Sequence, residues 1–144
     1  MKGMLSIFIA CALAVFLIGC AANMTTGERL QSAADTLQTA EDVIPELVKS
    51  GDLVQADADK LLKAINKTEG MVATAQKLAG EGLPQNAVDQ FGLAIDTLRV
   101  AQSEVESAQA KQNIGRTIAA LVIIQSMLKQ QADIEKARAP KPPS

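Results

Sequence analysis

Apolar residues recur at steps of three and four along most of this chain, the spacing of amphipathic helices and not the strict alternation of strands. Leu30, Ala33, Ala34, Leu37, Ala40 and Ile44 follow that spacing behind Thr25, which stands three residues before Glu28 as a capping box requires. Pro45 disfavours regular helical geometry at Ile44. Residues 45–50 therefore read either as a kinked continuation of the first helix or as a separate turn, closed by Gly51. A second helix is predicted from about Ala56 to Ala79, with Leu61, Ile65, Val72, Ala75 and Ala79 at alternating spacing and Thr68 at the one polar register. Gly80, Gly82 and Pro84 then punctuate the chain.

The third predicted helix, Gln85 to Ala108, carries the cleanest repeat. Ala87, Ala94, Ala101 and Ala108 stand seven apart, with Phe91, Leu98 and Val105 at the complementary seam positions and Val88 and Ile95 widening the stripe. Small residues on one seam let a neighbouring helix approach closely. About three heptads, with other helices of similar length beside them, suit an intramolecular bundle seam better than a homo-oligomeric coiled coil. Lys111 to Gly115 is a weaker break that either lets helices three and four run on as one or, the favoured reading, makes a turn with Asn113 as a cap before a fourth helix from about Ile114 to Ala137. Its middle, Ile118 to Ile124, is apolar on every face, and Met127 and Leu128 extend it. A helix apolar all round is buried, embedded in a membrane or pressed against a partner. Arg116 and Lys129 bracket a run too short for a bilayer span. That leaves a central bundle helix or a partner face, the latter made of Ile118, Leu121, Ile123, Ile124 and Met127. The expected fold is all-α: an antiparallel helical bundle of three to four helices over 26–138, followed by a Pro-rich disordered tail over 139–144.

The first nineteen residues follow another pattern. Lys2 precedes a continuous apolar run from Met4 to Ile18, and Gly19 and Cys20 close it. The run is at the upper end for a signal-peptide core and short of the about 20 apolar residues a membrane span needs. Its ending, Leu17-Ile18-Gly19-Cys20, resembles the lipobox of bacterial lipoproteins. That resemblance implies a leader at 1–19 cleaved between Gly19 and Cys20, diacylglyceryl transfer to the Cys20 thiol, N-acylation of the new terminus, and a short lipidated tether over 20–25. The competing reading is an uncleaved anchor helix with an incidental cysteine. Ala21, rather than Asp, at the sorting position implies by the rule for enteric lipoproteins the outer membrane, with the protein facing the periplasm. Cys11 would leave with the leader and Cys20 would become a thioether, so neither a disulfide nor a thiol is expected in the mature protein.

Composition narrows the chemistry. The chain has no His, Trp or Tyr, and Phe91 is the one Phe beyond the leader. Without His or a free thiol the usual general base, imidazole ligand and nucleophile–base pair are missing, so no catalytic residue, metal or cofactor beyond the covalent lipid is assigned. Asp52, Asp57 and Asp59 suggest a calcium loop, yet Leu61 and Leu62 stand where a ligand and a Gly are needed. Carboxylates at a helix start suffice as an explanation. Glu104 and Glu106 point to different faces, and no Ser lies in a nucleophile motif. With 14 Lys plus Arg against 16 Asp plus Glu and almost no aromatics, nucleic acid is not an expected partner. The abundant peptidoglycan-linked outer-membrane lipoprotein ends in Lys, whereas this chain ends in Ser144, so such a linkage is not expected.

These readings lead to a non-catalytic scaffold or protein-interaction module, anchored to the outer membrane, with an envelope protein or a second copy as partner. Small lipidated helical proteins of this general look also occur in prophage regions, in lysis or exclusion roles. The rival expectation is accordingly an envelope-disrupting lipoprotein resembling the outer-membrane member of a phage spanin pair. A hydrolase with a carboxylate or Ser–Lys centre is the third.

Overall fold

A computed structural model describes residues 25–138, which form four helices. They are α1 Thr26–Lys49, α2 Gln55–Gly80, α3 Pro84–Glu104 and α4 Ala108–Arg138. The leader, Cys20, the tether up to Met24 and the Pro-rich tail lie outside the described residues.

The capping box at the start of α1 is present. The Thr25 hydroxyl accepts the Glu28 N–H at 3.2 Å, and the Glu28 carboxylate accepts the Thr25 N–H at 2.6 Å. Pro45 sits inside α1, which continues to Lys49, so the continuation is realised and the separate turn is not. Ile44 is helical and buried, contrary to its expected irregularity. Burial of Ile44 and Leu47 on the same apolar stripe offsets the backbone hydrogen bond that Pro45 cannot donate.

Two turns stop α1 and α2 alike. Gly51 (φ 82°) donates to the Val48 carbonyl at 3.1 Å and Asp52 to the Leu47 carbonyl at 3.0 Å. Gly82 (φ 77°) donates to Ala79 at 3.2 Å and Leu83 to Leu78 at 2.9 Å. Both are Schellman closures, in which a left-handed residue lets the chain turn back on the last carbonyls.

The third connection departs from the sequence reading. α3 ends at Glu104, and α4 begins at Ala108. The break thus precedes the expected Lys111–Gly115 segment, and Asn113 and Gly115 lie inside α4. Val105 leaves the helix in an extended conformation (φ −99°, ψ 148°) while its side chain stays buried. Ser107 then caps α4: its hydroxyl accepts the Ala110 N–H at 3.2 Å and its carbonyl accepts the Lys111 N–H at 2.9 Å. Ending the helix here also ends the alanine seam, and Ala108 is exposed.

Short connections make sequential helices antiparallel, and α4 closes the ring against α1. Arg29 near the start of α1 donates through Nη1 to the Met127 carbonyl at 3.1 Å and to Gln131 Oε1 at 3.3 Å, tying it to the last third of α4. The interior is one contiguous apolar cluster. Leu30 and Leu37 come from α1, Leu61, Ile65 and Val72 from α2, Phe91, Ile95 and Leu98 from α3, and Leu121, Ile124 and Leu128 from α4. Ala87, Ala94 and Ala101 are buried within this single chain, so their seam is filled from inside the bundle. Thr68 is fully buried and donates to the Ala64 carbonyl at 2.8 Å, which satisfies the one polar register.

Candidate functional site

The five residues expected to form a partner face do not share one. Ile118, Leu121 and Ile124 face inward with Leu128, at steps of three and four that make up the buried stripe of α4. Met127 is half-buried, and its carbonyl receives Arg29. Ile123 alone of the five is largely exposed, at 48%. The run that looks apolar on every face is thus divided: Ile118, Leu121 and Ile124 lie in the core, Ala120 and Val122 are half-buried, and Ala119 and Ile123 are exposed.

Sequence reasoning missed the other apolar residues left outside. Leu93 and Val100 stand exposed on α3 one heptad apart, and Ile134 stands exposed on α4. Each lies two positions after a core residue, Phe91, Leu98 and Ala132 respectively, and so points away from the seam. That offset from the heptad was the available signal. Leu93 and Val100 are flanked by Asp89 and by the Asp96–Arg99 ion pair at 3.2 Å.

The two ends of the bundle differ. At the end where the chain enters at Thr25, the α2–α3 turn exposes Leu83 and α4 runs on beyond its last buried residue, Ala132. All of 133–138 is exposed, carrying Ile134 between Asp133 and Glu135, followed by Lys136 and Arg138. At about 1.5 Å per residue, the 31 residues of α4 reach about 46 Å where the 24 of α1 reach about 36 Å. The opposite end gathers Asp52, Asp57 and Asp59 with Glu46, Glu104 and Glu106, against Lys49, Lys60 and Lys111. Val54 is exposed there.

The aspartates of that far end serve the fold. Asp52 accepts the Ser50 hydroxyl at 2.7 Å, Asp59 accepts the Gln55 amide at 2.8 Å, and Asp57 pairs with Lys60 at 3.4 Å. Asp57 also accepts the Glu106 N–H at 3.4 Å, joining the start of α2 to the α3–α4 link. Among the described residues no group of three His, Cys, Asp or Glu side chains converges as a metal site would need. Burial raises the Glu69 carboxyl above its ordinary pKa, and the Glu41 carboxylate adds to the shift. The hydroxyls of Thr36, Thr39, Thr74, Thr97, Thr117 and Ser126 donate back to carbonyls of their own helices. Among the described residues no helix is long and apolar enough to cross a membrane.

Comparison of the chain with protein-family models, with curated proteins and with solved structures finds no match.

Proposed function

We propose that this protein is a lipoprotein of a bacterial envelope, acylated at Cys20 after cleavage behind Gly19 and held on the periplasmic face of the outer membrane. Its four-helix bundle acts there as a non-catalytic scaffold that engages another envelope protein or a second copy. The observation that carries the reading is the agreement of Lys2, the apolar run Met4–Ile18 and Leu17-Ile18-Gly19-Cys20, set five residues before the capped start of α1. Two or more acyl chains on Cys20 would anchor the domain stably where one would bind reversibly. The absence of His from the chain supports a non-catalytic role. So does the engagement of the far-end aspartates in turn, intrahelical and ion-pair contacts. The exposed apolar residues on the outer sides of α3 and α4 supply contact positions for a protein partner.

The anchor is tested by Cys20→Ser in cells fed a labelled fatty acid. The variant is expected to accumulate as an unlabelled precursor of higher mass, while the parent is labelled and shortened. Normal processing of the variant overturns the reading. Lysine crosslinking of the full-length protein in cells then tests the scaffold role. A discrete adduct of higher mass supports a hetero-partner, a ladder of multiples supports self-assembly, and monomer alone counts against both.

A further inference from the structure

We infer that the end of the bundle at which the chain enters is a lipid-contact surface. Leu83 and Ile134 meet the bilayer interface, and Lys136 and Arg138 lie at headgroup level. The inference rests on the lipoprotein reading of Cys20 and adds an orientation to it.

Three observations converge on this end. First, the five residues from Cys20 to Thr25 extend at most about 18 Å, roughly half the length of α1, so an acylated Cys20 keeps this end at the surface. Second, the α2–α3 turn and the overrun of α4, both at this end, each present a large aliphatic side chain to solvent. Leu83 is 42% exposed and Ile134 is 52% exposed. Leu83 is held at the turn tip by its own N–H on Leu78 and by the left-handed Gly82, so it projects from a closed turn. Third, charge separates the two ends. At the entry end Arg29, Lys77, Lys136 and Arg138 balance Glu28, Glu81, Asp133 and Glu135, whereas at the far end the aspartates and glutamates around Asp57 outnumber the lysines. An anionic membrane face repels the acidic far end and not the balanced entry end, whose Lys136 and Arg138 can reach headgroup phosphates. Aliphatic tips with adjacent cations are the composition that settles into the headgroup boundary.

Absence of Trp and Tyr from the chain makes the test free of background. Single variants Leu83→Trp, Ile134→Trp, Ile123→Trp and Val54→Trp are made in the full-length protein, all at exposed positions. Each acylated protein is reconstituted into vesicles of phosphatidylethanolamine and phosphatidylglycerol, with and without brominated acyl chains. The expected result is emission at shorter wavelength, with strong loss of intensity to bromine, for Leu83→Trp and Ile134→Trp. The Val54→Trp and Ile123→Trp proteins are expected to emit as solvent-exposed indoles without bromine quenching. Quenching of Ile123→Trp as strong as that of Leu83→Trp means that the bundle lies along α4, and overturns the orientation. Vesicle flotation without quenching at either tip overturns the contact while leaving the anchor intact. A protein that carries no acyl mass on Cys20 and does not float overturns the lipoprotein reading itself, and the orientation with it.

Discussion

The turns after α1 and α2 and the link after α3 reach the same result, a reversed chain between packed helices, through different local chemistry. Gly51 and Gly82 adopt left-handed conformations that an L side chain resists, and each returns two N–H groups to the helix it ends. The α3–α4 link has neither glycine nor proline. Val105 swings into an extended conformation without leaving the core, and Ser107 starts the next helix by capping it. Side-chain register and backbone path are separable: the seam of Phe91, Leu98 and Val105 continues to a residue at which the helix has already ended. In the glycine turns the backbone itself enforces the stop. In the link, the core holds one residue while a hydroxyl offers the next turn its missing acceptor.

The largest effect should come from testing whether that seam is one unit. Leu98 and Val105 are both buried, one inside α3 and one past its end. Leu98→Ala is expected to destabilise by about 2–5 kcal/mol and Val105→Ala by about 2 kcal/mol, since each deletes buried carbon and leaves a cavity. Urea denaturation followed by circular dichroism measures both. An unchanged midpoint for Val105→Ala would mean that the link is held by its backbone alone, and the comparison with the glycine turns would fail.

A smaller effect, with opposite signs at two glycines, sharpens the other side. At Gly51 an added Cβ meets no atom, so Gly51→Ala suffers only the left-handed backbone, at about 1–2 kcal/mol. Gly70 is exposed in the middle of α2 and equally uncrowded. There Gly70→Ala is expected to stabilise by about 0.5–1 kcal/mol, because the substitution restricts the unfolded chain and suits the helix. Equal midpoints for the two variants would remove the distinction between a glycine required by its turn and one merely tolerated in a helix.

The same contrast explains which parts of the fold were legible in the sequence. Glycine and proline announced the ends of α1 and α2, and Thr25 with Glu28 announced the start of α1, because each acts through local geometry within a few residues. The α3–α4 break was misplaced because its determinants are a valine that the core retains and a serine cap. Both residue types also occur in continuous helices. Lys111 to Gly115 looked like the better break, yet Ile114 and Thr117 are buried within α4, and their packing overrides the weak propensity of Asn113 and Gly115. The partner face failed to assemble for a related reason. An all-apolar run carries no phase, and only the assembled bundle shows that Ile118, Leu121 and Ile124 go in while Ile123 stays out.

The smallest effect concerns Ser107, whose hydroxyl stands 3.2 Å from the Ala110 N–H it accepts. Ser107→Ala removes that acceptor from the first turn of α4 and is expected to cost about 1 kcal/mol. Ser107→Asp should restore the midpoint, since a carboxylate accepts the same N–H and suits the positive end of the helix dipole. A fall with alanine and recovery with aspartate would establish that the link is ended by capping as well as by the burial of Val105. If neither substitution moves the midpoint, Val105 holds the break unaided. The link would then differ from the Gly51 and Gly82 turns more deeply still, with the core alone deciding where α3 stops.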